Sequence, residues 1–402
     1  MRFINKTNVE VEQLTNKFLN KLILVSFNYN GNNTNVKEIN DLFYLFKNCS
    51  RTNLIKKIER HKLNFFLYNS SFIKKHLPEL HNHLKIDIKN SLKDILKLTA
   101  LTVNISKLLN KHKIRYIFLK GIILAKQITN IKEGRGKSLD LDLLIEYKDI
   151  REIVNLFQTI GFKVPMEQNI FLNNGIYGSI SRFLSQEMCM YRNKNGKNEF
   201  IDIHWRLTAI SCKFDKFKEL YSRHEKVNID GYYLNSLSLN DTFMHNCAHA
   251  AVDKWMSYRN LIDISYLANK LNNEDLKILK NNKLVRWSSY ASYLKTKNHK
   301  LIPLMTKNLI TRFFIKRISN KYQNLPWRSL GYDGWTIRNR IEYFLLANLL
   351  TNHIIDWIRQ LIVCIVRPND IYDPYLKRQR KFHEIINIRY KNLRERLSHK
   401  KT

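Results

Sequence analysis

The chain of 402 residues carries 69 Lys or Arg against 34 Asp or Glu, a formal charge of +35, and 44% of it is hydrophobic. That length and apolar content mark a globular chain and leave room for two or three domains with cores of their own. The basic excess points toward nucleic acid or an anionic surface. AT-rich codon usage also yields abundant Lys, Asn and Ile beside only 11 Gly and 6 Pro, so charge alone selects no partner.

The cysteines, Cys49, Cys189, Cys212, Cys247 and Cys364, are odd in number and form no C-x-x-C pair. A disulfide framework and a zinc knuckle are therefore not expected, and a reducing compartment is. The opening stretch MRFINKTNVEVEQLTNK lacks the apolar segment of a signal peptide. Residues 343–366, the most apolar late stretch, are interrupted by Asn348, Asn352, His353, Asp356, Arg359 and Gln360. These are too many polar groups for a lipid-spanning helix, so a packed or amphipathic helix is expected. A cytoplasmic protein with no transmembrane segment follows as the expectation.

In chain order, residues 1–95 show helical spacing, as in VKEINDLFYLF and residues 55–68, broken by an asparagine-rich loop at 28–35. Residues 92–111 form a leucine-rich helix that feeds the first core strand. Residues 116–119 are aromatic and β-branched and stop at Lys120-Gly121, which reads as a buried strand running into a tight turn. A short helix is expected over 122–128, and a polar loop with two glycines over 129–138.

Extended structure resumes over 139–145, where Leu139, Leu141 and Leu143 face one way and Asp140 and Asp142 the other. Two carboxylates then stand side by side, roughly 6 to 7 Å apart along the strand. Buried without a partner, each would cost several kcal/mol, so a cation is expected. Magnesium, with manganese as a substitute, suits hard oxygen ligands and is commonly held by one or two carboxylates plus substrate phosphates. The Gly121 turn opens a helix and exposes backbone N–H groups to phosphate oxygens, with Lys120 as a point charge beside it. Arg135, in the loop, has a planar fork suited to phosphate; a solvated arginine is the alternative.

A helix is expected over 147–160, stopped by Gly161. Strands are expected over 177–191 and 199–207, joined by the turn NKNGKN. The second delivers Asp202 in strand rhythm, and three acids on neighbouring strands can hold two metal ions for in-line phosphoryl or nucleotidyl displacement. His204 falls on the same face as Asp202, where it could contact base or acceptor or serve as a structural hydrogen-bonder. Trp205 faces the core.

Residues 217–234 give a helix and a hairpin around Asp230-Gly231, and a helix starts near residues 238–241. His245, His249 and Asp253 share one helical face, either as a second metal site or, preferably, as a polar stripe packed against the nucleotide domain through Asp263. From residue 271 the pattern is helical, with Trp287, Tyr290 and Tyr293 as core aromatics and a loop over 325–334. The tail 377–402 holds ten Lys or Arg against Glu384 and Glu395. It could touch RNA or another anionic partner, or form a solvated basic face.

LKGIILAKQ, Arg135, DLDLLI and IDIHWRL, in that order, resemble an uncharacterised bacterial nucleotidyltransferase-like family of the DNA polymerase beta nucleotidyltransferase superfamily. The resemblance spans roughly residues 114–271. It implies an α/β (α+β) fold with a mixed-sheet core, nucleotide phosphates at Lys120, Gly121 and Arg135, and Mg²⁺ at Asp140, Asp142 and Asp202. The usual superfamily turn is Gly-Ser; here Ile122 follows Gly121, so phosphate contact falls to backbone or to Lys120. The organisation expected is an N-terminal helical region (1–95), a nucleotidyltransferase core (96–235) and a C-terminal helical domain with a basic tail (236–402). The activity expected is transfer of an NMP from an NTP, ATP first, to a hydroxyl acceptor of unknown class. A non-catalytic nucleotide- or RNA-binding protein on the same fold is the alternative.

Overall fold

The computed structural model describes residues 8–29, 36–129, 135–136, 138, 140–194, 196–208, 215–324, 345–346, 349, 354–365, 372–373, 378–379 and 384. The chain opens with helices α1 (Asn8–Asn28), α2 (Val36–Asn48), α3 (Arg51–Arg60), α4 (Asn64–Tyr68), α5 (Ser71–His76) and α6 (Pro78–Lys111). Ser50 and Ser70 cap α3 and α5 by accepting from the backbone N–H of Asn53 and Ile73, which satisfies donors that a helix start leaves open. Helix α6 begins well before residue 92, at a proline whose missing N–H costs nothing in the first turn.

The sheet follows. Strand β1 (Tyr116–Phe118) leads into α7 (Gly121–Thr129), then β2 (Asp140–Ile145) and α8 (Ile150–Gln158), which stops short of Gly161 at φ +88°. Next come α9 (Ile176–Leu184), β3 (Glu187–Lys194), β4 (Lys197–His204), α10 (Phe217–Ser222) and the hairpin of β5 (Glu225–Ile229) and β6 (Tyr232–Ser236). The sheet order is β3-β4-β2-β1-β6-β5. Strand β2 runs antiparallel to β1 and parallel to β4, and β6 is parallel to β1, so the sheet is mixed as expected.

One stretch differs from the sequence reading. Residues 176–184 are helical, and the strand begins only at Glu187. Ile176, Tyr177, Ile180 and Phe183 are all exposed, at the three- and four-residue spacing of one helical face; their β-branched and aromatic character had suggested a strand.

Helices α11 (Leu239–Val252), α12 (Tyr258–Lys270), α13 (Asn273–Leu279), α14 (Lys283–Thr296) and α15 (Leu309–Asn324) close the described fold, with a last helix at Ile354–Ile365. Among the described residues, no helix is long and apolar enough to cross a membrane. The loop at 325–334 and nearly all of the basic tail lie outside the described residues.

The sheet has its own core, in which Phe118, Leu143, Ile203 and Trp205 meet Ile105 and Leu109 of α6. A second core joins the first helices to the helices that follow the sheet, with Phe18, Leu22, Leu54 and Leu67 clustering with Trp255, Leu261, Ile264 and Val285. Asn28 Nδ2 donates to the Thr296 carbonyl at 2.8 Å, and Lys295 Nζ to Asn20 Oδ1 at 2.9 Å, across the same contact.

His61 sits in this shared core, 2% exposed, with its ring stacked on Tyr258 at 4.0 Å between centroids. Burial, helped by Arg60, Lys57 and Lys295, pushes its pKa down to about 3 from 6.5. The folded state therefore holds the neutral ring while the unfolded state takes up a proton below pH 6.5. This contribution to stability is intact above pH 6.5 and is lost as pH falls toward 3. Denaturant unfolding at pH 7, 6, 5 and 4 is expected to show His61→Gln losing stability with acid less steeply than the wild type. Equal slopes would refute the assignment.

Candidate active site

Strand β1 ends at Phe118, and the Leu119 N–H donates to the Asp142 carbonyl at 3.2 Å, fixing the glycine turn against the aspartate strand. Gly121 adopts φ +59°, a left-handed conformation costly for a residue with a Cβ, and opens α7. The turn also sets Lys120 beside the aspartate strand, its Nζ 3.7 Å from Asp142 Oδ1.

Parallel pairing of β2 and β4 sets Asp142 directly opposite Asp202, with Asp140 opposite Phe200. Because side chains alternate, Asp140, Asp142 and Asp202 emerge on one face, and one ligand oxygen from each lies within 4.8 Å of the others. Asp142 is buried and the other two are half-buried. Burial and the neighbouring Asp142 and Glu187 push the Asp202 carboxyl up to about 6. Burial would raise Asp142 as well, but Lys120, at 3.7 Å from Oδ1, and His204 hold it well below the usual carboxylate range. Like charges this close in a partly desolvated site are the environment that a divalent cation relieves, and the donors are all hard carboxylate oxygens. This set fits Mg²⁺ or Mn²⁺ and does not suit soft metals.

His204 is 2% exposed and bridges two acids, with Nε2 at 3.1 Å from Asp142 Oδ1 and Nδ1 at 3.0 Å from Glu187 Oε2. Burial alone would lower its pKa, but Glu187 and Asp142 outweigh that and push it up to about 10. An imidazolium thus locks the Asp142 carboxylate in place. His204 thus lies within hydrogen-bond distance of two carboxylates.

Glu187 was not singled out in the sequence. It reaches the site through the pairing of β3 with β4, which places it opposite His204, and long-range register of that kind leaves no local mark. Cys189 pairs opposite Asp202, and burial together with that carboxylate pushes its thiol up to about 12, so it stays protonated. Ser138, also unremarked, donates its hydroxyl to Asp140 Oδ1 at 3.0 Å. Trp205 packs in the sheet core, its Nε1 donating to the carbonyls of Arg182 and Ser185 at 3.1 Å, as the sequence suggested.

Arg135 is 7% exposed, and its Nε donates to Asp263 Oδ2 of α12 at 2.6 Å. Arg135 is thus tied to α12. Gly136 follows at φ +84°, where a Cβ would stand 2.8 Å from the Phe65 ring, so the loop lies close against α4. His245 is buried, and His249 Nδ1 lies 3.3 Å from Asp253 Oδ2 and 3.2 Å from Asn260 Nδ2. Among the described residues, the aspartate triad is the group of acid, His or Cys side chains compact enough for a metal, and this stripe is not part of one.

A mixed sheet flanked by helices, with three carboxylates brought together beside a lysine-glycine turn, accords with a nucleotidyltransferase fold. Consistent with this, the model of a family described as an uncharacterised nucleotidyltransferase matches residues 50–293, more than half of the chain, which therefore belongs to that family. The match runs from α3 into α14 and so extends beyond the sheet on both sides. No curated protein and no solved structure matches the chain.

Proposed function

We propose that the protein transfers a nucleoside monophosphate from an NTP, ATP first among candidates, to a hydroxyl acceptor with release of pyrophosphate. The observation that carries this reading is the triad, delivered by β2 and β4 within 4.8 Å beside the Lys120-Gly121 turn. The acceptor oxygen forms a bond to the α-phosphorus as the bond from that phosphorus to the bridging oxygen breaks, and pyrophosphate leaves.

Asp140, Asp142 and Asp202 are the residues to hold Mg²⁺, which when bound supplies charge stabilisation to the attacking and leaving oxygens. Lys120 and the Gly121 amides receive the outer phosphates, with Arg135 at the loop completing that wall. Asp202 orients the acceptor hydroxyl and takes its proton. His204 and Ser138 act through the carboxylates they touch, by keeping Asp142 and Asp140 in the orientation the site needs.

The test is to incubate purified protein with each α-³²P-labelled NTP, Mg²⁺ and a cell extract, beside an Asp140→Ala/Asp142→Ala control. Label on a macromolecule or small acceptor, absent in the control, is the expected result and identifies the acceptor class. No transfer from any nucleotide would overturn catalysis in favour of a binding protein.

A further inference from the structure

The helical segments flanking the sheet contribute cations to the same site. Resting on the nucleotide reading above, we propose that Lys62 and Arg259 bind the polyphosphate tail of the substrate, so that the phosphate-binding wall is built from three separate parts of the chain.

Lys62 lies in the turn between α3 and α4 as the left-handed residue (φ +54°) that ends α3, where the Leu63 N–H donates to the Ile58 carbonyl at 3.0 Å and so fixes the point from which the side chain leaves. Arg259 is the second residue of α12. Their chain neighbours His61 and Tyr258 stack at 4.0 Å between ring centroids, and this buried contact holds Lys62 and Arg259 at one place although they are far apart in sequence. The close approach of Gly136 to Phe65 brings the Arg135 loop onto the same corner.

Arg135 and Arg259 differ in what satisfies them. Arg135 is held by Asp263. The Nε and Nη1 atoms of Arg259 are buried with no hydrogen-bond partner among the described residues, and neither Lys62 nor Arg259 forms an ion pair there. A guanidinium carries five donors and loses much of its hydration when buried, so donors left open are costly unless a ligand meets them. Asp263, which holds Arg135 at 2.6 Å, lies four residues along α12 from Arg259, so the two guanidinium groups come to the same stretch of that helix, and Asp140 and Asp142 act on Arg259 electrostatically. Lys62 in turn feels Arg259, Asp140, Arg135 and Lys120.

The charges then sort by ligand. The three carboxylates suit divalent cations, while of the four nearby cations Lys120 lies 3.7 Å from Asp142 and Arg135 is held by Asp263, which leaves Lys62 and Arg259 without an ion pair among the described residues. Four cations beside a site for divalent metal suit an anion of several charges with hard oxygens, as a polyphosphate is. Burial and the like charges around them push Lys62 down to about 8 and Arg259 down to about 9, so both still carry their charge at neutral pH, ready for an anion.

The experiment is calorimetric titration of the full-length protein with inorganic tripolyphosphate, pyrophosphate and orthophosphate in Mg²⁺, using the wild type, Arg259→Ala, Lys62→Ala and Arg259→Lys. The expected result is tripolyphosphate binding weakened about tenfold or more by Arg259→Ala and about threefold or more by Lys62→Ala, with weak orthophosphate binding unchanged and Arg259→Lys intermediate. Lys62 lies in the turn after α3 and is not among the core residues, so its variant decides the matter if Arg259→Ala fails to fold. Wild-type affinity in both alanine variants, or no tripolyphosphate binding by the wild type, overturns the proposal. Label transfer separates the two readings. Transfer with an NTP KM unchanged in both variants removes the polyphosphate wall and keeps the transferase; sensitive tripolyphosphate binding without transfer keeps the wall and removes the transferase.

Discussion

Asp202→Asn is expected to lower nucleotidyl transfer by at least about a thousandfold, because a site that loses one metal-holding carboxylate forfeits several kcal/mol of charge stabilisation. The same substitution should leave the fold as stable as the wild type, or more so, when metal is chelated. Asp202 shares a partly buried space with Asp140 and Asp142, whose ligand oxygens lie within 4.8 Å, and removing one of three like charges relieves repulsion. Asp142→Ala should behave differently, since it takes away the partner of buried His204 and of Lys120 and therefore costs stability as well as activity. Thermal melting in EDTA and in Mg²⁺ reads both effects. The wild type should gain stability with Mg²⁺ and Asp202→Asn should gain much less. A Mg²⁺ shift of equal size in the variant would remove Asp202 from the metal site.

The second large effect is expected at a distance from the triad. Asp263→Ala leaves the guanidinium of Arg135 buried without its carboxylate, and breaking a buried pair in this way typically costs about 3–5 kcal/mol. Side-chain exposures of 6% and 3% mean that solvent cannot take Asp263's place. Urea unfolding should show the loss directly, and an Arg135→Met/Asp263→Leu double variant should recover much of it. If the double variant is as unstable as Asp263→Ala, the cost lies in packing around α12 and not in the stranded charge. Because the pair ties Arg135 to α12, and Ser138, three residues on, holds Asp140, Asp263→Ala should also weaken Mg²⁺ binding.

What could be read from the sequence was local. The run into Gly121, the alternation through Asp140 and Asp142, and the strand rhythm around Asp202 each lie within a few residues, and the backbone periodicities carry them. The triad's assembly also followed, because the order of the motifs resembles a known arrangement. Glu187, Lys62 and Arg259 were invisible for one shared reason: each arrives through a pairing between distant segments, whether the β3–β4 register or the stack of His61 on Tyr258. Arg135 was noticed for its phosphate-compatible fork, and Asp263 for its packing, but that they meet could not be read from spacing. Residues 176–184 show the opposite failure, in which composition suggested a strand and the exposed helical face went unread.

The core shared by the first helices and the helices that follow the sheet bears on how the protein is made. Leu54 and Leu67 cannot bury themselves fully until Leu261, Ile264 and Val285 have left the ribosome, so the first helices must wait through most of translation with apolar surface uncovered. Contacts of such wide sequence separation make folding slow and late, and give chaperones a long interval in which to bind the nascent N-terminal segment.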